Sequence, residues 1–97
     1  MSLSEVIQLL IDEINALPNN DFKDPSTAGD KKSSLIDKID VVLNLIDLGK
    51  YDQAIRKLEK DIKPKLDTDC NQCWLQVEHE ELIVKIKTII LLLEGML

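Results

Sequence analysis

From Leu3 onward, apolar residues recur at intervals of three and four. Leu3, Val6, Ile7, Leu10, Ile14 and Leu17 line up as one stripe of a 3.6-residue repeat, which predicts a helix over about 3–17. Ser2 and Glu5 have the S-x-x-E spacing of a capping box, in which each side chain satisfies the other's free backbone N–H. Pro18 closes the helix, because the residue before a proline resists the helical conformation. Leu35, Ile36, Ile39, Val42, Leu43 and Ile46 predict a second helix over about 31–48. Its start is open between Asp24-Pro25, as N-cap and first helical residue, and Asp30. Gly49 ends it, being the residue best able to take a left-handed backbone. Tyr51, Ala54, Ile55, Leu58 and Ile62 predict a third helix over about 51–63, kinked or ended near Lys63 by Pro64. So short a link after Gly49 requires an antiparallel helical hairpin.

A fourth helix is predicted over about 77–93, and it carries two stripes. Leu82, Ile83, Ile86, Ile90 and Leu93 form the expected core face. Val84, Thr88 and Leu91 lie about a quarter-turn away, with Leu92 beyond them. A helix apolar nearly all round is buried on more than one side. Either it is central in the bundle, or Val84, Thr88, Leu91 and Leu92 meet a partner or a second subunit. Between the first two helices, Asn19 to Gly29 is rich in turn formers, and Phe22, its one large apolar residue, is expected to plug into the core. The pattern amounts to an all-α fold, an antiparallel four-helix bundle forming one domain over 1–97.

Composition agrees. Apolar residues make up 44% of the chain and charged residues 31%, while Phe22, Tyr51 and Trp74 are the only aromatics, so the core is aliphatic. Net charge is −6 and the lysines are interleaved with acids. That disfavours nucleic acid, which wants a basic stripe, and anionic membrane surfaces for the same reason. The longest apolar run, Ile89 to Leu93, is too short to span a bilayer. The start, Met1-Ser2-Leu3-Ser4-Glu5, lacks the positive region of a signal peptide. If the natural protein is exported, these residues are expected to be a domain excised from a larger chain.

Two overlapping motifs carry candidate chemistry. Cys70-Asn71-Gln72-Cys73 is a C-x-x-C pair. It leaves open a disulfide across the loop, two free thiols, a metal site and redox catalysis. Zinc is short of ligands, since His79 is the only histidine, and a thioredoxin-like motif would need a βαβ context that is not predicted. The same segment resembles a calcium loop, with Asp67, Asp69 and Asn71 at positions 1, 3 and 5, Trp74 at position 8 and Glu78 at position 12. Position 6 is Gln72, where the sharp turn of such loops needs glycine. Carboxylate pairs such as Asp37 with Asp40, and the group Glu78, Glu80 and Glu81, read as solvated faces, with Asp37 and Asp40 paired to neighbouring lysines. Three aromatics cannot line a glycosidase-type cleft, and no nucleophilic triad or phosphate-binding glycine loop is present. No enzyme is expected.

The stretch Gly49-Lys50-Tyr51-Asp52-Gln53-Ala54 resembles the turn of a tetratricopeptide hairpin, in which glycine caps one helix, an aromatic packs under the turn and alanine lets the helices approach. A single copy lacks the stacking neighbours such repeats need. A wider likeness runs through Leu17-Pro18, Phe22-Lys23, Leu35 to Ile39, Gly49 to Ile62, Lys65, Asp67, Trp74 and the final apolar helix. It is similar to a small helical accessory domain recurring in secreted bacterial and archaeal multidomain proteins. That resemblance implies an extracellular or cell-surface setting, no catalytic residues, and a disulfide for Cys70 and Cys73. The expected function is a non-catalytic interaction or spacer module of an exported multidomain protein. Its partners would be proteins: other domains of the same chain, or a second copy in a homodimer. No cofactor is expected, nor nucleic acid or membrane. The alternatives are a calcium-dependent module through Asp67, Asp69, Asn71 and Glu78, or an intracellular tetratricopeptide-like scaffold dimerising through Val84, Leu91 and Leu92.

Overall fold

In the computed structural model, residues 2–97 are described; Met1, the first residue of the acidic start, lies outside them. Among the described residues four α-helices surround one aliphatic core: α1 (Leu3–Ala16), α2 (Ala28–Asp47), α3 (Tyr51–Lys57) and α4 (Glu80–Glu94). Each packs against its neighbour in the chain, and α1 meets α4 to close the ring. The fold is an all-α helical bundle, as the periodicity predicts. Leu10, Ile14, Phe22, Leu35, Ile39, Leu58, Ile62, Leu82 and Ile86 are among its fully buried side chains. No helix among the described residues is long and apolar enough to cross a membrane.

The local signals at helix ends work largely as expected. The Ser2 Oγ accepts from the Glu5 N–H (3.3 Å) and donates to the Glu5 carboxylate (3.0 Å), so the reciprocal arm of the capping box runs through the hydroxyl. Asp24 and Pro25 do open the second helical segment. The Asp24 carboxylate accepts from Ser26 N–H (3.2 Å), Pro25 begins a 3₁₀ turn over Pro25–Thr27, and this feeds straight into α2. Helical structure therefore begins before residue 31, and Ala28 becomes a buried core residue. At the other end Gly49 adopts φ +74°. Its N–H donates to the Ile46 carbonyl (3.0 Å) and the Lys50 N–H to the Leu45 carbonyl (2.8 Å), the paired bonds of a Schellman motif.

Two elements depart from expectation. Near Lys63, where Pro64 is expected to kink or end the third helix, the winding changes but the spiral continues. Helix α3 widens into a π turn over Leu58–Ile62 and then tightens into a 3₁₀ turn over Lys63–Leu66. Proline has no N–H, and its ring would strike the carbonyl four residues back in a regular helix. The wider turn, in which Lys63 N–H bonds the Leu58 carbonyl, passes the proline without breaking the spiral. It delivers Leu66, 1% exposed, into the core. The fourth helix starts at Glu80, not near Val77. Residues 74–76 are drawn instead into an extended pairing with the 21–23 segment: Phe22 and Leu75 form an isolated antiparallel bridge. Lys23 N–H donates to the Trp74 carbonyl (2.9 Å) and Gln76 N–H to the Asp21 carbonyl (2.8 Å). Phe22 is fully buried, as expected of the plug in that loop, and so is Leu75. The core face of α4 is also rotated slightly from the predicted stripe: Ile89 is fully buried, while Ile83 packs only partly against the core.

Candidate functional site

The segment from Asp67 to His79 joins the end of the third helical element to α4, and it holds most of the residues singled out from the sequence. Cys70 and Cys73 stand at disulfide distance, with Cα atoms 5.2 Å apart, within the span a bridge requires. They sit in the loop, well ahead of α4, with Cys70 exposed and Cys73 buried. This pair is compatible with an oxidising, extracellular setting. A turn hydrogen bond from Cys73 N–H to the Cys70 carbonyl (3.3 Å) spans the same residues.

The calcium reading finds no assembled cage. Asp67, Asp69, Asn71 and Glu78 are all exposed. Asp67 accepts from its neighbour's Thr68 N–H (2.9 Å), and only Asp67 and Glu78 of the four share a groove, alongside Lys63 and Lys87. Among the described residues no three His, Cys, Asp or Glu side chains come together in a metal-holding group. Two features explain the geometry. The Cys70–Cys73 pinch shortens the loop where ligands would have to wrap, and the Leu75 bridge removes Glu78 from the exiting helix, which begins at Glu80.

Several ionic contacts in this region escape the sequence pattern. Asp61 accepts from the ammonium groups of Lys38 (2.9 Å), Lys57 (2.7 Å) and Lys65 (2.6 Å). Partial burial works against its charge, but the hydrogen bonds from Lys57, Lys65 and Lys38 outweigh it and hold the carboxyl well below the ordinary carboxylate range. The i, i+4 spacing of Lys57, Asp61 and Lys65 was visible in the sequence; the reach of Lys38 from α2 was not. Lys38 therefore does not serve the acids beside it, and among the described residues Asp37 and Asp40 form no ion pair. Lys65 also donates to the Asp61 carbonyl (2.8 Å), which the 3₁₀ turn at Pro64 leaves within its reach.

At the far end of the loop, His79 Nε2 lies 2.7 Å from Asp21 and Nδ1 lies 3.2 Å from Glu81. Burial alone would lower the imidazole pKa; the contacts with Asp21 and Glu81 outweigh it and raise the value above the usual one. Trp74 is half-buried and is approached by two ammonium groups, Lys31 at 5.0 Å and Lys65 at 5.5 Å from the ring centre. A surface groove of about 520 Å³ is lined by charged residues including Asp52, Arg56, Lys60 and Asp61, with Leu45 as its apolar member. It contains no aromatic side chain.

On the opposite face of α4 from the core, Val84 is 54% and Leu91 68% exposed. Thr88 lies between them, partly exposed, and its hydroxyl donates to the Val84 carbonyl (2.9 Å). Leu92 packs partly against the core, so it belongs to the bundle as much as to the ridge. Just past the helix, Met96 and Leu97 are exposed as well. The structure thus brings Val84, Thr88 and Leu91 onto one outward line, and separates Leu92 from them.

No protein-family model, curated protein or solved structure matches this chain.

Proposed function

We propose that the chain is a non-catalytic helical module that packs against protein, as part of an exported multidomain protein. The observation that carries the reading is the ridge of Val84, Thr88 and Leu91. Two large aliphatic side chains more than half exposed on one helix face, seven residues apart, stand above a core already complete beneath them. Isolated surface leucines are ordinary, but an aligned apolar strip continued by Met96 and Leu97 is the kind of surface that interfaces cover. Cysteines at disulfide distance support the exported setting. The charged lining of the groove beside Asp52 and Arg56 favours an interaction role over catalysis on a small apolar substrate.

Two measurements test the reading. The mass and location of the mature protein in its native source decide the exported, multidomain part: a chain of only these residues retained in the cytosol would sink it. Sedimentation of the isolated domain and of Leu91→Asp decides whether the ridge is sticky towards a second copy. Concentration-dependent association lost in Leu91→Asp supports the homodimer form. A strict monomer in both overturns that form and transfers the ridge to another domain of the parent chain. Rebuilding that parent with Leu91→Asp is then the test, and unchanged domain packing there refutes the interaction reading.

A further inference from the structure

The 67–79 loop carries a disulfide-distance pair beside anchors that do not involve it. Leu75 is fully buried and bridged to Phe22, and the part of the loop that follows the cysteines is tied down by bonds that do not involve sulfur. Trp74 N–H donates to the Lys65 carbonyl (2.9 Å), Lys23 N–H to the Trp74 carbonyl (2.9 Å) and Gln76 N–H to the Asp21 carbonyl (2.8 Å). His79 adds its contact with Asp21 at 2.7 Å. Neither these anchors nor the turn bond from Cys73 N–H to the Cys70 carbonyl runs through an S–S bond between Cys70 and Cys73. The two sulfurs are also unequal. Cys70 is exposed, whereas Cys73 is only 4% exposed. An ammonium group, Lys23 Nζ, is held 2.8 Å from the Cys70 carbonyl and brings positive charge to the backbone of the exposed cysteine, whose Sγ lies 3.7 Å from the Pro64 carbonyl. Neighbouring cations favour the thiolate and so make a cysteine a better participant in exchange.

From this arrangement we infer that Cys70–Cys73 is an exchangeable disulfide, with Cys70 the site at which a small thiol is taken up and Cys73 the residue that expels it. A thiolate of the low-molecular-weight monothiol class attacks the Sγ of Cys70, the exposed residue of the pair. The new S–S bond to Cys70 forms as the Cys70–Cys73 bond breaks, and Cys73 leaves as a thiolate that takes up the proton the incoming thiol gave to water. A second thiol attacks its predecessor's sulfur in the mixed disulfide and releases Cys70 as a thiolate; the two small thiols depart as their oxidised disulfide, and the two electrons they gave up stay on the reduced Cys70 and Cys73. In the reverse direction Cys73 attacks the mixed disulfide at Cys70, closes the ring and expels the thiol. The turn bond from Cys73 N–H to the Cys70 carbonyl (3.3 Å) keeps the resolving residue within reach. The inference does not depend on what the α4 ridge binds.

The test uses glutathione disulfide as the probe, with intact-mass readout, on Cys73→Ser and Cys70→Ser. Uptake of one glutathione is expected to be at least about tenfold faster on Cys73→Ser, where the exposed Cys70 remains. Equal rates, or faster uptake on Cys70→Ser, overturn the assignment. Because either variant can misfold, the wild-type protein is also reduced with dithiothreitol and followed by amide hydrogen exchange. Slow exchange at Lys23 and Gln76 is expected to survive reduction. Loss of that protection, or a pair that resists dithiothreitol until the protein is denatured, shows a structural bridge and refutes the proposal.

Discussion

The bundle is joined by two very different connections along its second half. Between α2 and α3 lie only Leu48, Gly49 and Lys50, and nearly everything that shapes them is local: a left-handed glycine at φ +74° and two hydrogen bonds back to the last turn of α2. Between Leu66 and α4 lie thirteen residues, Asp67 to His79, held chiefly by partners distant in sequence. Their anchors are the Phe22–Leu75 bridge, the Lys23 and Gln76 backbone bonds, and the His79–Asp21 pair. A short turn can be specified by the residues inside it, because its geometry is set by backbone sterics. A long connection in a small domain has to borrow order from the core, since otherwise its conformational entropy leaves it loose. The contrast also shows where chemistry can be added. The three-residue turn has no room for it, whereas the long segment carries the cysteine pair, the tryptophan and the histidine.

Substitutions can break this comparison. The largest effect is expected from Leu75→Ala, which empties a fully buried site beneath the long connection and should cost about 2–5 kcal/mol in urea unfolding. That matches the cost expected of Leu58→Ala in the helical core; a value below about 0.5 kcal/mol would show that the loop is not a working part of the core. Next comes Gly49→Ala. No atom crowds a Cβ placed there, so any penalty is purely one of backbone conformation, about 1–2 kcal/mol, measurable by the shift in denaturation midpoint. A neutral Gly49→Ala would mean the short turn relaxes out of its left-handed conformation.

Two smaller effects sharpen the distinction through pH. Asp61 has its pKa depressed by the three lysines, so its contribution is fully present above the unfolded value near 3.8 and is lost as pH falls through the lower folded value. Asp61→Asn should cost about 1 kcal/mol at neutral pH and flatten stability against pH in the acid range, because partly exposed ion pairs are individually weak. His79 has the opposite sign. Its raised pKa makes its contribution complete below the unfolded value near 6.5 and lost as pH rises through the higher folded value. Amide protection at Gln76, near the far end of the long connection, is therefore expected to weaken across that window in the wild type and to stay level in His79→Gln. The same titration should leave the amides of Gly49 and Lys50 unmoved, because no histidine touches the short turn.

Much of the architecture was legible from periodicity alone, and the particular misses have a common cause. The stripe of Leu3, Val6, Ile7, Leu10 and Ile14 marks α1, and Gly49 marks the hairpin turn, because both depend on spacing and on intrinsic backbone preference. The predicted start of α4 near Val77 falls three residues early, because the segment just before it is held extended by the pairing of Leu75 with Phe22, a contact more than fifty residues away, and the helix begins only at Glu80. Leu66 was missed as core because Pro64 normally ends a helix, and only the packed interior makes the π and 3₁₀ route past it worthwhile. The Cys70–Cys73 spacing was visible, but the inequality of the two sulfurs was not, since burial is a property of the folded surface.

By itself, then, the order of residues determined the all-α class, the approximate helices and the α2–α3 hairpin, because these follow from a 3.6-residue repeat and from the conformations glycine and proline permit. Tertiary structure decided the rest. It chose which face of α4 was left outside, with Val84 and Leu91 exposed and Ile89 buried. It gathered Lys38, Lys57 and Lys65 around Asp61, and it pinned the cysteine-bearing loop against the 21–23 segment. Each of these depends on which groups from distant parts of the chain come within a few ångströms, and that is settled only when the helices pack.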